Sequence, residues 1–192
     1  MLATHLQTRT SHSIVVRLLA IGAFTALTAI SARVTIEIQP VPITLQVLAV
    51  LLAGLTLGAR DGAASQALYL ALITAGLPID ASGLGTLAWA RPAAGYLVGF
   101  LAGAYVAGWL AERGFGRWAP LRFLAGLAGI AVIYAVGAGW LTYGFLAGDW
   151  TRGWALGVQP FLFVDALKAL LATLLAESAR LTLARAPRPS TP

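Results

Sequence analysis

The chain has 192 residues, 59% of them hydrophobic and only 10% charged, with a mean hydropathy of +0.82. Too few polar side chains remain to clothe a water-facing globule, which excludes a soluble domain and implies a polytopic membrane protein. The net charge of +6 comes from arginines in short loops and tails, where membrane topology accounts for them without a nucleic-acid partner.

Six apolar segments read as transmembrane helices, at 14–32, 43–58, 63–77, 92–111, 123–147 and 159–179. Most can cross about 30 Å of hydrocarbon at about 1.5 Å per residue, while 63–77 is short and needs tilt or flanking residues. The expected organisation is all-α: a cytoplasmic N-terminal segment over 1–13, a six-helix membrane domain over 14–180, and a disordered basic cytoplasmic tail over 181–192. The prolines fall at segment ends or in the tail and interrupt no span. Runs such as 130–136 and 167–175 do not alternate, which argues against membrane β-strands. The first segment is not expected to be a cleavable signal, because five more spans and no polar domain follow it.

Arginine placement sets the orientation. With the N-terminus inside, Arg9, Arg17, Arg60, Arg113, Arg117, Arg122, Arg180, Arg185 and Arg188 lie on the inner side, against Arg33, Arg91 and Arg152 outside. Both termini are therefore expected in the cytoplasm, across a bacterial-type plasma membrane. Trp89, Trp150 and Trp154 would mark the outer interface, and Trp109 and Trp118 the inner one.

In chain order, the first helix carries a flat stripe of Gly22, Ala23, Ala26 and Ala29, open either to internal packing or to a partner protein. Pro40-Val41-Pro42-Ile43-Thr44-Leu45-Gln46 then brings two hydrogen-bonding side chains to the start of an apolar helix. Thr44 could be a cap; a buried Gln46 amide needs partners. In the loop at 78–91, Gly83 and Gly85 allow close backbone approach, and Arg91 stands just before a helix start followed by Tyr96. Arg91 suits either a ligand carboxylate or lipid phosphates. Gly95, Gly99 and Gly103, four residues apart, read as a helix-packing groove.

The sixth segment is the most informative. If its helix begins near Gln159, Asp165 and Lys168 lie about 9–14 Å inward and, at an (i, i+3) spacing, share one face. Charges at that depth belong in the bundle or a cavity. Either they form a structural ion pair, or they recognise a small polar ligand through one acceptor and one donor. A cyclic urea or amide fits the latter, with Asp165 accepting from N–H and Lys168 donating to C=O.

Several chemistries drop out. The chain has no cysteine, its histidines, His5 and His12, precede the first span, and it has neither HExxH nor GxSxG, so no metal site, cofactor or catalytic nucleophile is expected. Lys168 is the sole lysine and sits between Leu167 and Ala169, so no Walker A loop exists.

Beyond these readings, VPITLQ at 41–46, the stretch LAVLLAGLTLGARDGAASQALYLALITAGLP after it, GYLVGF at 95–100 and PFLFVDALKALLA at 160–172 resemble the BioY family, the biotin-binding S components of energy-coupling-factor vitamin transporters. The resemblance runs from about residue 17 to 180. It implies a six-helix S-component fold that binds biotin near the outer face and delivers it inward, alone or with a transmembrane coupling protein and a pair of ATPases. Asp165 and Lys168 would then meet the ureido ring, Thr44 and Gln46 line the pocket, and Tyr96 with the Gly83–Gly85 loop help close it. Arg91 as carboxylate partner is an addition to that set. The chain departs from the family pattern at Phe163-Val164, often Pro-Gly, and at Arg91–Tyr96, often Gly-Pro-Thr-Gly-Gly-Tyr. The alternatives are a carrier for another vitamin and a membrane enzyme using Asp165 and Lys168 as an acid–base pair.

Overall fold

A computed structural model describes the backbone of residues 2–185 and the side chains of 14–181. The expected tail lies outside the described residues from 186 onward. Helix α1 (Leu2–Ser31) leads through a two-residue antiparallel ribbon, β1 (Thr35–Ile36) and β2 (Ile43–Thr44), into α2 (Gln46–Leu57), α3 (Ala59–Thr74), α4 (Ala94–Glu112), α5 (Ala119–Phe145), α6 (Trp150–Gly157) and α7 (Leu162–Arg185). The windows Ile14–Ser31, Ala94–Glu112, Ala119–Phe145 and Trp150–Leu181 are long and apolar enough to cross a membrane.

The exterior is that of a lipid-facing bundle. Ile14, Leu18 and Leu19 on α1 and Leu167, Leu170, Leu171, Leu174 and Leu175 on α7 are exposed, whereas Ser65, Gln66, Asp165 and Lys168 are buried. Inside, Thr25 of α1 donates to Ser65 O at 2.8 Å and Gln66 of α3 donates to Thr28 Oγ1 at 3.2 Å, so polar groups without access to water find partners in the neighbouring helix.

Three segments differ from expectation. The ribbon absorbs residues 43–44, leaving α2 at 12 residues, about 18 Å long and the shortest of the predicted spans. Gly58, at φ +84°, joins α2 directly to α3, which starts four residues before the expected 63. The Ala59 N–H freed by that break donates to Glu112 Oε1 at 2.9 Å, so the end of α4 caps the start of α3. Finally, the sixth segment is preceded by the short helix α6, and a 3-10 turn at Gln159–Phe161 containing Pro160 postpones α7 to Leu162. Asp165 consequently lies in the first turn of α7 rather than two turns down.

Among the described prolines the boundary reading holds: Pro120 occupies the first turn of α5, and Pro40, Pro42, Pro78 and Pro92 stand outside helices. The glycine groove is an internal contact. A Cβ on Gly99 would come within 3.0 Å of the Ile133 backbone, and one on Gly103 within 2.9 Å of Gly129 O, so α4 and α5 meet backbone to backbone. Part of the α1 stripe stays free, with Ala23 and Ala26 exposed and nothing within 4 Å of a Cβ on Gly22.

Gly99→Leu should therefore lower stability by about 1–3 kcal/mol through overpacking. Gly139→Leu on α5, where a Cβ meets nothing within 4 Å, should leave it nearly unchanged. Thermal unfolding in detergent followed by tryptophan fluorescence separates the two; equal losses would show that the groove is not a packing surface.

Candidate functional site

The β-ribbon, the α3–α4 loop and the starts of α4 and α7 converge at one end of the bundle, around a cavity of about 70 Å³. Its apolar wall includes Val41, Leu97, Phe100, Ile133 and Phe161, and its polar groups come from Thr44, Gln46, Asp80, Ser82, Arg91, Tyr96, Tyr134, Asp165 and Lys168. Polar groups converging within a partly apolar lining suit a small ligand with a polar head.

At the base, Lys168 Nζ donates to Asp165 Oδ1 at 2.6 Å and Tyr134 Oη donates to Asp165 Oδ2 at 2.8 Å. The first turn of α7 places the carboxylate where the helix dipole favours negative charge. An ammonium carries three protons. Among the described residues Lys168 uses one of them, on Asp165, which leaves donors for a ligand carbonyl. The carboxylate retains lone pairs beside its two bonds. The ion pair between Asp165 and Lys168 thus leaves hydrogen-bonding capacity at the cavity wall.

Thr44 Oγ1 accepts the Gln46 backbone N–H at 3.2 Å and meets Gln46 Oε1 at 3.2 Å, so it does cap-like work while lining the cavity. Gln46 Nε2 donates to Tyr69 Oη at 2.8 Å, and Tyr69 in turn donates to Ile79 O at 3.1 Å. Tyr96 presents its ring to the cavity and donates its hydroxyl to Gly157 O at 2.6 Å, tying α4 to α6. Its ring fills the space over Gly137 and lies 6.3 Å from that of Phe161. Arg91 is exposed at the cavity rim, and no side-chain partner for its guanidinium is found among the described residues.

Six of the eight predicted site residues, Thr44, Gln46, Arg91, Tyr96, Asp165 and Lys168, line this single cavity. Gly83 and Gly85 do not. At φ +66° and +56° they shape the loop behind it, and a Cβ on Gly85 would come within 2.6 Å of Gly76 O.

Sequence reasoning missed Asp80, Tyr134 and Tyr69. Asp80 is 3% exposed, and its carboxylate accepts the backbone N–H of Ser82 at 3.0 Å and those of Leu84 and Gly85 at 2.8 Å. The run Asp80-Ala81-Ser82-Gly83 carries the signature of an Asx turn and could have signalled it. Tyr134 and Tyr69 sit in helical runs where nothing local separates a hydrogen-bonding tyrosine from bulk.

The BioY family model matches residues 4–185. A protein of Pyrococcus horikoshii described as a probable biotin transporter BioY is 38% identical over 160 residues, covering 82% of this chain and 91% of its own. The biotin transporter BioY of Thermotoga maritima is 37% identical over 162 residues, covering 83% and 93%. The chain belongs to the BioY family. In fold it is similar, with a TM-score of 0.77 at 24% identity, to a crystal structure of the S-component for biotin from an ECF-type ABC transporter, over 88% of this chain and 93% of that one. The BioY resemblance drawn from VPITLQ and the Asp165/Lys168 pair therefore holds. In this BioY-family chain the two motifs line one cavity.

Replacing Asp80 by Asn substitutes a neutral amide for a carboxylate that accepts three N–H groups. Losing even one charge-assisted bond, worth about 1.5–3 kcal/mol, should speed amide exchange at Ser82, Leu84 and Gly85 by about tenfold or more. Mass-spectrometric hydrogen exchange on loop peptides reads this; exchange equal to that of the parent chain would mean that the turn holds without the charge.

Proposed function

We propose that this chain is the biotin-binding membrane subunit of an uptake system, holding the vitamin in the cavity between β2, α2, α4 and α7. The observation that carries the reading is the buried Asp165/Lys168 pair facing that cavity with uncommitted donors on the ammonium. A ureido ring presents N–H groups beside a C=O, the complement of one carboxylate and one ammonium on the same helix face. Leu97, Phe100, Ile133 and Phe161 would flank the aliphatic side chain, and Arg91 at the rim would receive its carboxylate.

The cavity end faces outward in this reading and both termini face the cytoplasm, supported by the arginine distribution. Delivery would proceed with a transmembrane coupling protein and a pair of ATPases, or by the chain alone. Similarity of fold to an S-component and the lack of a Walker A lysine support partners that hydrolyse ATP. The pair recognises rather than catalyses: each Asp165 oxygen already holds a donor, which suits a fixed acceptor better than a proton shuttle.

Asp165→Asn and Lys168→Met should each weaken biotin binding by about 3–5 kcal/mol, at least a hundredfold in Kd, since either leaves a charge buried without its partner. Calorimetric titration of the purified protein checks this, and unchanged affinity in both would remove the ring contacts. Arg91→Gln should weaken biotin by about tenfold while leaving biotinamide, whose carboxyl is neutralised, little affected. An equal loss for both ligands would overturn the carboxylate assignment.

A further inference from the structure

Ile79 O can only accept, so Tyr69 Oη, 3.1 Å away, must spend its proton there. The hydroxyl is then an acceptor toward Gln46, which obliges the side-chain amide to turn Nε2 to it at 2.8 Å. Gln46 Oε1 consequently faces Thr44 Oγ1 at 3.2 Å. Each step leaves the next group one permitted orientation. Gln46 and Thr44 line the cavity, whereas Tyr69 is fully buried and does not; Ile79 immediately precedes Asp80, Ala81 and Ser82 of the α3–α4 loop, which line the cavity.

We infer that Tyr69 is a positioning residue: through it the loop carbonyl at Ile79 dictates which way the Gln46 amide faces the ligand, so that loop closure and ligand reading are one coupled event. When the loop leaves, Tyr69 loses its acceptor and can donate to Gln46 instead, which frees the amide to reverse its donor and acceptor ends. A bound ligand that hydrogen-bonds the spare Nε2 proton therefore favours the closed loop. The relay ends on Ile79 O, next to the Asp80-centred turn, so its effect is local to the wall over the site.

This rests on the reading that biotin occupies the cavity, and the test separates the two. Dissociation of labelled biotin from the detergent-purified full chain, chased with unlabelled biotin, is compared in the parent, Tyr69→Phe, Gln46→Met and the double variant. Tyr69→Phe keeps the ring and removes only the hydroxyl. Each single variant is expected to release biotin about tenfold faster, and the double variant no faster than either by more than about twofold, because one relay is cut once. An unchanged rate in Tyr69→Phe, or accelerations that multiply to about a hundredfold, would overturn the coupling. A purely structural tyrosine would lower stability without that saturation. Should the parent chain fail to retain biotin, the ligand reading falls and amide exchange at residues 79–85 in the free protein decides the relay: faster exchange by about tenfold in both single variants upholds it, and parent-like exchange refutes it.

Discussion

Asp165 and Lys168 are 1% and 4% exposed, and neither could be carried there alone. An unpaired charge inside an apolar bundle costs several kcal/mol, so each residue is the condition of the other's position. Tyr134 on α5 and the first-turn dipole of α7 complete the carboxylate's surroundings. Hydrophobic residues of similar volume would commonly serve stability as well or better. A charged pair kept at the wall of a cavity, with ammonium protons to spare, therefore fits the ligand-binding role proposed for it better than that of a tether.

The other end of the bundle makes an instructive contrast. Arg122 is 4% exposed, donates to Glu177 and to Gly116 O, and so ties α5 to α7 and to the α4–α5 turn. Arg180 adds a second contact to Glu177 at 2.5 Å. Neither Arg122 nor Glu177 lines the cavity; both terminal nitrogens of Arg122 meet protein oxygens, and only its Nε is left without a partner. The two ion pairs thus differ in place: Asp165 and Lys168 line the cavity, whereas Arg122 and Glu177 join helices away from it.

Much of this was legible in the chain, and the reasons are local. Apolar runs and bounding prolines located the helices, with three of the six segments shifted in the ways described, and an aspartate three residues before the only lysine, inside an apolar segment, pointed to a buried charged pair without any fold. The start of α7, read near Gln159 and found at Leu162, has an equally local cause: a proline suits the first turn of either kind of helix, and that Gln159–Phe161 is a 3-10 turn shows itself only in backbone geometry. What was not legible depends on partners distant in sequence. Tyr134 meets Asp165 across 31 positions and Gln46 meets Tyr69 across 23; neither spacing leaves a periodic trace. Arg122 read as a loop arginine explained by topology, because its acceptor on α7 lies 55 positions away.

The packing beneath the cavity constrains how a ligand could reach the opposite side. Below Lys168, α7 presents Ala169, Ala172 and Ala176 to the bundle, at 0%, 0% and 4% exposure, and a Cβ on Gly126 of α5 would meet Ala169 Cβ at 3.5 Å and Leu51 Cδ1 at 3.9 Å. Across the bundle, a Cβ on Gly129 would come within 2.9 Å of Gly103 O and 3.0 Å of Leu51 Cδ2. Small residues here do not line a passage; they let helices touch, and opening a path between them would strip contacts from several helices at once. Under the proposed uptake role, exposing the site inward is therefore cheaper as a reorientation of the intact bundle than as a channel through it. The apolar exterior of α1 and α7 and the uncovered Gly22, Ala23 and Ala26 face permit such a movement. Under the same proposal a bundle that moves as a body needs its ligand sealed in, and the Asp80 turn and the Ile79 carbonyl are the groups proposed to do so.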